Sequence, residues 1–176
     1  LKDKGGIYIV TPYYNGGDVF DMKEKKGCIP EVEARSIFIQ VVHALIHLKK
    51  SGVCHRDVSL ENLVMHEGIV KLIDLGVALH IPQTADGRAR VLPPQGSCGK
   101  QGYMSPEVAL DKGDFDGFAA DVWSLGVMLF EMVAGRPPFE ISVPSLDERC
   151  KVIAVEGRLG ELVEAWNMSL SQNVSG

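Results

Sequence analysis

The stretch 118–134 constrains the fold most, because as a helix it is apolar on nearly all of its faces. A helix of this kind is stable where other elements cover it, so the stretch predicts a buried helix in a core. Asp121 lies near its start, and a carboxylate in a core needs hydrogen-bond or ionic partners. In this apolar stretch the longest run without a charged residue, Val122–Phe130, is far shorter than the about 20 apolar residues that span a bilayer. We therefore expect no membrane partner.

Composition limits the class of protein. The chain has 176 residues, of which 45% are hydrophobic and 23% are charged, and this is typical of one globular domain or most of one. The net charge of −5 argues weakly against a nucleic-acid partner. The cysteines form no Cys-x-x-Cys pair, so we expect reduced thiols and a cytoplasmic location.

Periodicity and turn residues predict further elements. An amphipathic helix starts at Pro30 and ends before Ser51. The apolar residues 7–10 predict a short buried strand, and the proline- and glycine-rich residues 76–102 predict a long loop. Two more helices are predicted, over 146–155 and 159–166.

A β-hairpin is predicted around Gly68, with strands over 63–65 and 69–73. If the turn is centred on Gly68, Asn62 lies opposite Asp74, and directly opposed Cβ atoms are only about 5 Å apart. An amide oxygen and a carboxylate are hard ligands that suit Mg²⁺. The alternative interpretation is a capping Asn and a turn Asp without a metal.

Four short motifs follow one another along the chain. They are His55-Arg56-Asp57 with Asn62, Asp74-Leu75-Gly76, Ser105-Pro106-Glu107, and Asp121-Val122-Trp123-Ser124-Leu125-Gly126. In this order and context they resemble the large lobe of a eukaryotic-type protein kinase. Each motif alone can arise by chance, whereas four together at these separations are specific.

The resemblance implies an α+β fold, namely the mainly helical large (C-terminal) lobe of a protein-kinase-like fold with a short catalytic β-hairpin. It implies a hinge over 7–18, a catalytic loop over 55–62, an activation segment over 74–107 and a helical subdomain over 118–166. Together, residues 1–176 would form a partial protein kinase domain. The activity implied is transfer of the γ-phosphate of ATP to a protein hydroxyl, with a preference for Ser and Thr.

The family's motifs also imply roles for individual residues. Asp57 would orient the acceptor hydroxyl and take its proton, and Asn62 and Asp74 would hold the Mg²⁺ ions that bridge the phosphates of ATP. Asp121 would accept backbone hydrogen bonds from the catalytic loop, and Glu107 would form a structural ion pair. For each residue taken singly, a surface or capping role is the alternative.

The same resemblance implies a nucleotide-binding edge near the start of the chain. Thr11 would be the small side chain at the back of the pocket, and Pro12 and Tyr14 would offer a carbonyl and an N–H to adenine. Asp18 would lie near the ribose, and Val64 would form the apolar floor under the base. The alternative is that these residues belong to ordinary core and turn positions.

The sequence departs from the family at Ser59, where Ser/Thr kinases usually carry a Lys that contacts the transferred phosphate. Lys100 stands where these kinases usually have Thr. We therefore hypothesise that Lys100 reaches over Asp57 and supplies the missing charge, because Lys is a compact charge on a flexible stem. The alternative is an exposed Lys100 beside a weakened site.

Arg56 before Asp57 is typical of the family members that are switched by phosphorylation of the activation segment. A phosphate on Thr84 or Ser97 would pair with Arg56 and order that segment. The partners implied are therefore ATP, a protein substrate and an upstream activating kinase.

The family's Gly-x-Gly-x-x-Gly loop, its strand Lys and the partner Glu of that Lys have no counterpart in the sequence. We therefore expect a chain that is incomplete at both ends and inactive on its own. The rival interpretation is a pseudokinase or scaffold module that binds partners without catalysis. Asp57, Asn62 and Asp74 favour the enzyme, whereas Ser59 favours the scaffold.

Overall fold

The computed structural model describes residues 5–6, 8–84 and 89–166. The helices in this part of the chain are α1 Val19–Lys26, α2 Glu31–Lys50, α3 Pro106–Leu110, α4 Gly117–Ala134, α5 Glu148–Ala154 and α6 Leu159–Ala165. The strands are β1 Val53–Cys54, β2 Leu63–His66, β3 Ile69–Leu72 and β4 Leu79–His80, and a 3₁₀ turn spans Leu60–Asn62. Helices and strands are thus mixed, as the predicted α+β class requires.

Helix α4 is the core helix that its apolar sequence predicts. The side chain of Asp116 caps its start by accepting the N–H groups of Phe118 (2.8 Å) and Ala119 (3.2 Å). Met128 and Met132 are fully buried, and the helix packs against α2. Its length and composition alone would also suit a membrane span, but half of it is buried inside the protein. Burial of this kind is typical of a core helix.

The other predicted helices are confirmed with small changes at their ends. Helix α2 follows Pro30 and buries Ala34, Ile37 and Val41 on one face. Helices α5 and α6 lie within the stretches predicted for them.

Helix α1 was not predicted from the sequence, because it is short and its residues are mainly charged. It starts where the side chain of Asp18 accepts the N–H of Asp21 at 2.7 Å, which is an N-cap bond. The buried Val19 then joins α1 to the core that surrounds α2 and α4.

The β2–β3 hairpin is confirmed, but its predicted register is wrong by one residue. Leu63 pairs with Leu72. Glu67 and Gly68 both have positive φ, 50° and 77°, as in a two-residue type I′ turn. The turn is therefore centred between these two residues and not on Gly68.

The corrected register moves Asn62 away from the position opposite Asp74. The Asn62 carbonyl accepts the N–H of Ile73 at 2.9 Å, so Asn62 pairs with the residue before Asp74. The two predicted metal ligands still lie at the same open end of the hairpin, but not directly across from each other.

Two further expectations fail. Residues 76–102 are not loop throughout, because β4 pairs antiparallel with β1; two-residue strands are too short to show periodicity. Ile7 lies outside the described residues, and Ile9 and Val10 are 87% and 77% exposed, so the described part of 7–10 is not a buried strand. The reason is that no described strand pairs with it, and a strand needs a partner.

Candidate active site

One carboxylate anchors the 55–62 loop to the core. Asp121 of α4 accepts hydrogen bonds from the backbone N–H groups of His55 and Arg56, both at 2.7 Å. Arg56 has a positive φ of 68°, and both N–H groups converge on this side chain. Burial raises the pKa of Asp121, although the two N–H donors oppose the rise. The predicted role of Asp121 is therefore confirmed.

Asp57 is held by donors from two segments. The amide group of Asn62 donates to the carbonyl and to Oδ2 of Asp57, both at 2.8 Å. The backbone N–H of Lys100 donates to Oδ1 at 3.0 Å. Each carboxylate oxygen thus accepts one hydrogen bond, and the orientation of the side chain is fixed from both sides.

The residues predicted to hold Mg²⁺ suit that ion chemically. Asp74 is exposed and has a φ of 65°, and its Oδ1 accepts the N–H of Gly76 at 2.9 Å. Asn62 commits its amide N–H to Asp57, so its side-chain oxygen is left for a cation. Mg²⁺ is usually bound by one or two carboxylates together with water and phosphate oxygens. Over the described residues no cluster of three His, Cys, Asp or Glu side chains forms a metal cage, so the other ligands would come from outside the protein.

Lys100 contacts Asp57 through its backbone and not through its charge. Its ammonium forms an ion pair with Glu61 and lies over the rings of Phe20 and Tyr103, 5.0 and 5.3 Å from their centroids. The hypothesis that this charge lies over Asp57 is therefore wrong. Both carboxylate oxygens of Asp57 are already bonded to N–H groups, whereas Glu61 offers a carboxylate to the ammonium.

Gly99 makes the backbone contact possible. Its φ is 100°, and a Cβ atom at this position would lie 2.5 Å from the carbonyl oxygen of Arg56. Only glycine accepts both conditions without displacement. Sequence reasoning missed Gly99 and Glu61, and the available signal was the dense glycine spacing over 96–102.

The predicted nucleotide-binding residues are only partly brought together. Asp18 and Val64 form a β-bridge, and the ring of Tyr14 packs edge-on against His66 at 5.4 Å between centroids. The exposed members of the set are Thr11 and Pro12. The ribose side of the predicted site is therefore attached to the hairpin, whereas the side predicted to hold adenine is open to solvent.

Comparison with known proteins then decides the family. The family model for the protein kinase domain matches residues 1–172. The chain belongs to the protein kinase family. CBL-interacting protein kinase 9 of Oryza sativa subsp. japonica and CBL-interacting serine/threonine-protein kinase 9 of Arabidopsis thaliana are each 41% identical to this kinase chain over 142 residues. The match covers 80% of the chain and 30% of each relative, so the chain spans less than a third of their length.

Among the described residues, one basic side chain of this kinase chain has only weak partners. The guanidinium of Arg56 is buried, yet within 5–6, 8–84 and 89–166 it reaches only the carbonyls of Val77 (3.5 Å) and Gly96 (3.3 Å). Its Nε has no hydrogen-bond partner among the described residues, and the group lies 5.7 Å from the ring centroid of Phe115. A buried cation with long, neutral contacts can accept an anionic partner.

Proposed function

We propose that this chain is the catalytic large lobe of an ATP-dependent protein kinase that phosphorylates Ser and Thr hydroxyls of proteins. The observation that carries the proposal is the fixed Asp57 carboxylate, held through Asn62 at 2.8 Å and through the Lys100 N–H at 3.0 Å. Phosphoryl transfer depends mainly on positioning and charge stabilisation. An aspartate fixed in this way has the geometry of a group that orients an acceptor hydroxyl.

The chain's own residues would divide the work as follows. Asp57 would accept the hydrogen bond of the substrate hydroxyl and take its proton as the hydroxyl oxygen bonds to the γ-phosphorus, while the bond from that phosphorus to the bridging oxygen breaks and ADP leaves. Asn62 and Asp74 would hold Mg²⁺, which when bound neutralises charge on the phosphate oxygens. Asp121 keeps the 55–62 loop in place during transfer. Lys100 takes part through its backbone N–H, so its side chain is not assigned a catalytic role.

ATP would bind along the edge that contains Asp18 and Val64. Their β-bridge places the residue that carries a carboxylate beside one with an apolar side chain, as a ribose hydroxyl and a base require. Tyr14 would present its backbone N–H to the base. The other residues proposed for the adenine contact are Thr11 and Pro12.

An upstream kinase is proposed as a further partner. In the part of the chain that the structure describes, the acceptors of Arg56 are carbonyls at 3.3 and 3.5 Å, so a phosphate on the 74–107 segment would gain a charge-assisted pair there. Ser97 is exposed one residue after the Gly96 carbonyl that Arg56 contacts; the other candidate is Thr84. A cytoplasmic location and the lack of nucleic-acid or membrane partners remain predictions of the composition.

The deciding experiment replaces Asp57 by Asn in the full-length protein. We expect Mg²⁺-dependent transfer from ATP to a Ser- or Thr-containing peptide to fall by about 100-fold or more, since the variant loses its proton acceptor. Asp114→Asn is the matched control, because Asp114 is exposed. Equal transfer by wild type and Asp57→Asn, or none by either, would favour the pseudokinase or scaffold alternative.

A further inference from the structure

Lys23 is a buried lysine on a helix whose other lysines lie in solvent. Lys25 and Lys26 of α1 are exposed, whereas Lys23 is only 3% exposed. Its ammonium lies 3.0 Å from Oε1 of Glu131 in α4, and Glu131 is 4% exposed. Buried charges are costly unless they are paired. Each member of this pair therefore depends on the other.

Glu131 connects Lys23 to the 74–107 segment. Its Oε2 accepts a hydrogen bond from the hydroxyl of Tyr103. Burial, together with Glu131, raises the pKa of Tyr103, so the phenol keeps its proton and remains the donor. The backbone carbonyl of Tyr103 accepts the hydroxyl of Ser124 at 2.8 Å. Tyr103 is therefore fixed to α4 at both its ring end and its backbone.

Tyr103 is linked to Asp57 through the turn formed by residues 100–103. The N–H of Tyr103 donates to the carbonyl of Lys100 at 3.0 Å, and the N–H of Lys100 donates to Oδ1 of Asp57, also at 3.0 Å. A displacement of Tyr103 would therefore shift the peptide unit that holds one oxygen of the Asp57 carboxylate.

We propose that Lys23 is a positioning residue for phosphoryl transfer, which acts through Glu131 and Tyr103 to fix the turn at Lys100 that orients Asp57. The proposal rests on the proposed kinase function, because the orientation of Asp57 affects turnover only if Asp57 serves the acceptor hydroxyl. Helix α1 would thereby be one of the elements that position Asp57, the residue proposed to bind the acceptor hydroxyl.

The surroundings of this pair supply no second cation to Glu131. The charged and titratable side chains around the pair are Glu24, Glu61, Lys100 and Tyr103. The one cation among them, Lys100, is already paired with Glu61. Without the Lys23 ammonium, Glu131 would therefore be a buried carboxylate with no cation among these neighbours, and an unpaired buried charge destabilises the packing around it.

The first test compares Lys23→Met with Lys26→Met in the full-length protein. Lys26 lies on the same helix and pairs with Glu33 on the surface, so it is the matched control. We expect Lys23→Met to lower kcat about tenfold or more while KM for ATP stays within about twofold. Lys26→Met should retain wild-type values throughout.

The double variant Lys23→Met/Glu131→Gln shows whether Lys23 acts through Glu131. It removes both charges and keeps an oxygen that accepts the Tyr103 hydroxyl, so we expect most of kcat to return. A folded Lys23→Met with wild-type kcat would overturn the proposal, and so would a folded double variant as impaired as the single one. If Lys23→Met does not fold, the folded double variant is compared with wild type instead. A kcat near that of wild type supports the proposal, and a loss of about tenfold or more overturns it.

Hydrogen exchange tests the positioning role of Lys23 independently of the kinase activity. Exchange of the Lys100 amide can be measured without turnover, and we expect it to be about tenfold faster in Lys23→Met than in wild type or Lys26→Met. A lack of Asp57-dependent transfer by wild type would refute the kinase function. Unchanged exchange at Lys100 in Lys23→Met would refute the positioning role, whether or not the protein is active.

Discussion

The 55–62 loop and the 8–18 stretch belong to the same proposed site, but they are held very differently. His55 is fully buried, whereas Ile9 is 87% exposed. The loop is bonded to α4, to the end of the β2–β3 hairpin and to the 74–107 segment. The 8–18 stretch is attached near its end, where Gly16 and Gly17 exchange backbone hydrogen bonds with Met65.

The 55–62 loop and the 8–18 stretch are therefore two different kinds of binding surface in one proposed site. Groups that are already oriented before the substrate arrives need no reorganisation during transfer, and the 55–62 loop supplies such groups. A segment that is exposed over much of its length loses conformational entropy when it binds, and that loss lowers affinity. Substitutions in the loop should therefore change both stability and rate, whereas those in 8–18 should change mainly the affinity for the nucleotide.

The largest expected effect is that of Asp121→Ala, which removes the anchor of the 55–62 loop. Its effect is compared with that of Thr11→Ala in the 8–18 stretch. Loss of Asp121 leaves two buried N–H groups without acceptors, and each costs about 1–3 kcal/mol. We therefore expect the free energy of unfolding to fall by about 3 kcal/mol or more in urea titrations. Thr11→Ala should change it by less than about 0.5 kcal/mol, as is typical of surface substitutions.

Phosphoryl transfer by the same two variants completes this test. Asp121→Ala should lose at least about 100-fold in kcat at a temperature where it is folded, because the loop that carries Asp57 is released. Thr11→Ala should keep kcat within about threefold. Equal unfolding free energies for the two variants would contradict the contrast between the regions.

An intermediate effect is expected from Gly99→Ala. The new methyl group would lie 2.5 Å from the Arg56 carbonyl at a φ of 100°, so the backbone must move and the Lys100 N–H must leave Asp57. We expect kcat to fall by about tenfold with the affinity for ATP unchanged. Gly113→Ala is the control, because its Cβ would meet no atom within 4 Å. Similar kcat values for the two alanine variants would show that this contact does not orient Asp57.

The smallest effect should come from Asp147, which lies in neither region. Its carboxylate accepts four N–H groups, those of Glu140, Ile141, Arg149 and Cys150. Burial works against ionisation, but these donors and Arg149 hold the pKa of Asp147 below its ordinary value. Because the folded pKa is the lower one, the stabilisation is present above about pH 4 and is lost as pH falls through the folded pKa.

Asp147→Ala should therefore lower the free energy of unfolding by about 1 kcal/mol at pH 7. Between about pH 5 and pH 3 the wild type should lose this advantage, and urea titrations at several pH values would show it. The kcat of the variant should match that of wild type, since the four N–H groups that the Asp147 carboxylate accepts all lie within residues 140–150. A change in kcat would mean that the start of α5, where Asp147 lies, is coupled to the segments that orient Asp57.

The sequence was a good guide where one residue pattern determines the outcome. The apolar stretch 118–134 and the helix after Pro30 are confirmed because burial of a helix face sets periodicity directly. The need of Asp121 for partners could be predicted because a carboxylate in an apolar helix must be satisfied by hydrogen bonds, whereas the partners themselves, N–H groups of the 55–62 loop, were implied by the resemblance to protein kinases.

The sequence predicted the structure poorly where the outcome depends on contacts between distant segments. The ammonium of Lys100 could be assigned to Asp57 from spacing, but the competing carboxylate of Glu61 is visible only in the fold. Lys23 lies in a run of lysines that looks solvated, and only the position of Glu131, 108 residues later, makes it a buried residue. The hairpin register failed because positive φ at Glu67 as well as Gly68 sets the centre of the turn.

The double hydrogen bond from the 55–62 loop to Asp121 also bears on how natural variation in this gene should be interpreted. Asp121 shares a helix with Met128 and Met132, which are fully buried in the core. A substitution that rotates or shifts this helix would move the loop with it, and the protein would lose turnover with every active-site residue intact. Alleles that alter the interior of α4 should therefore be grouped with active-site alleles when their phenotypes are classified.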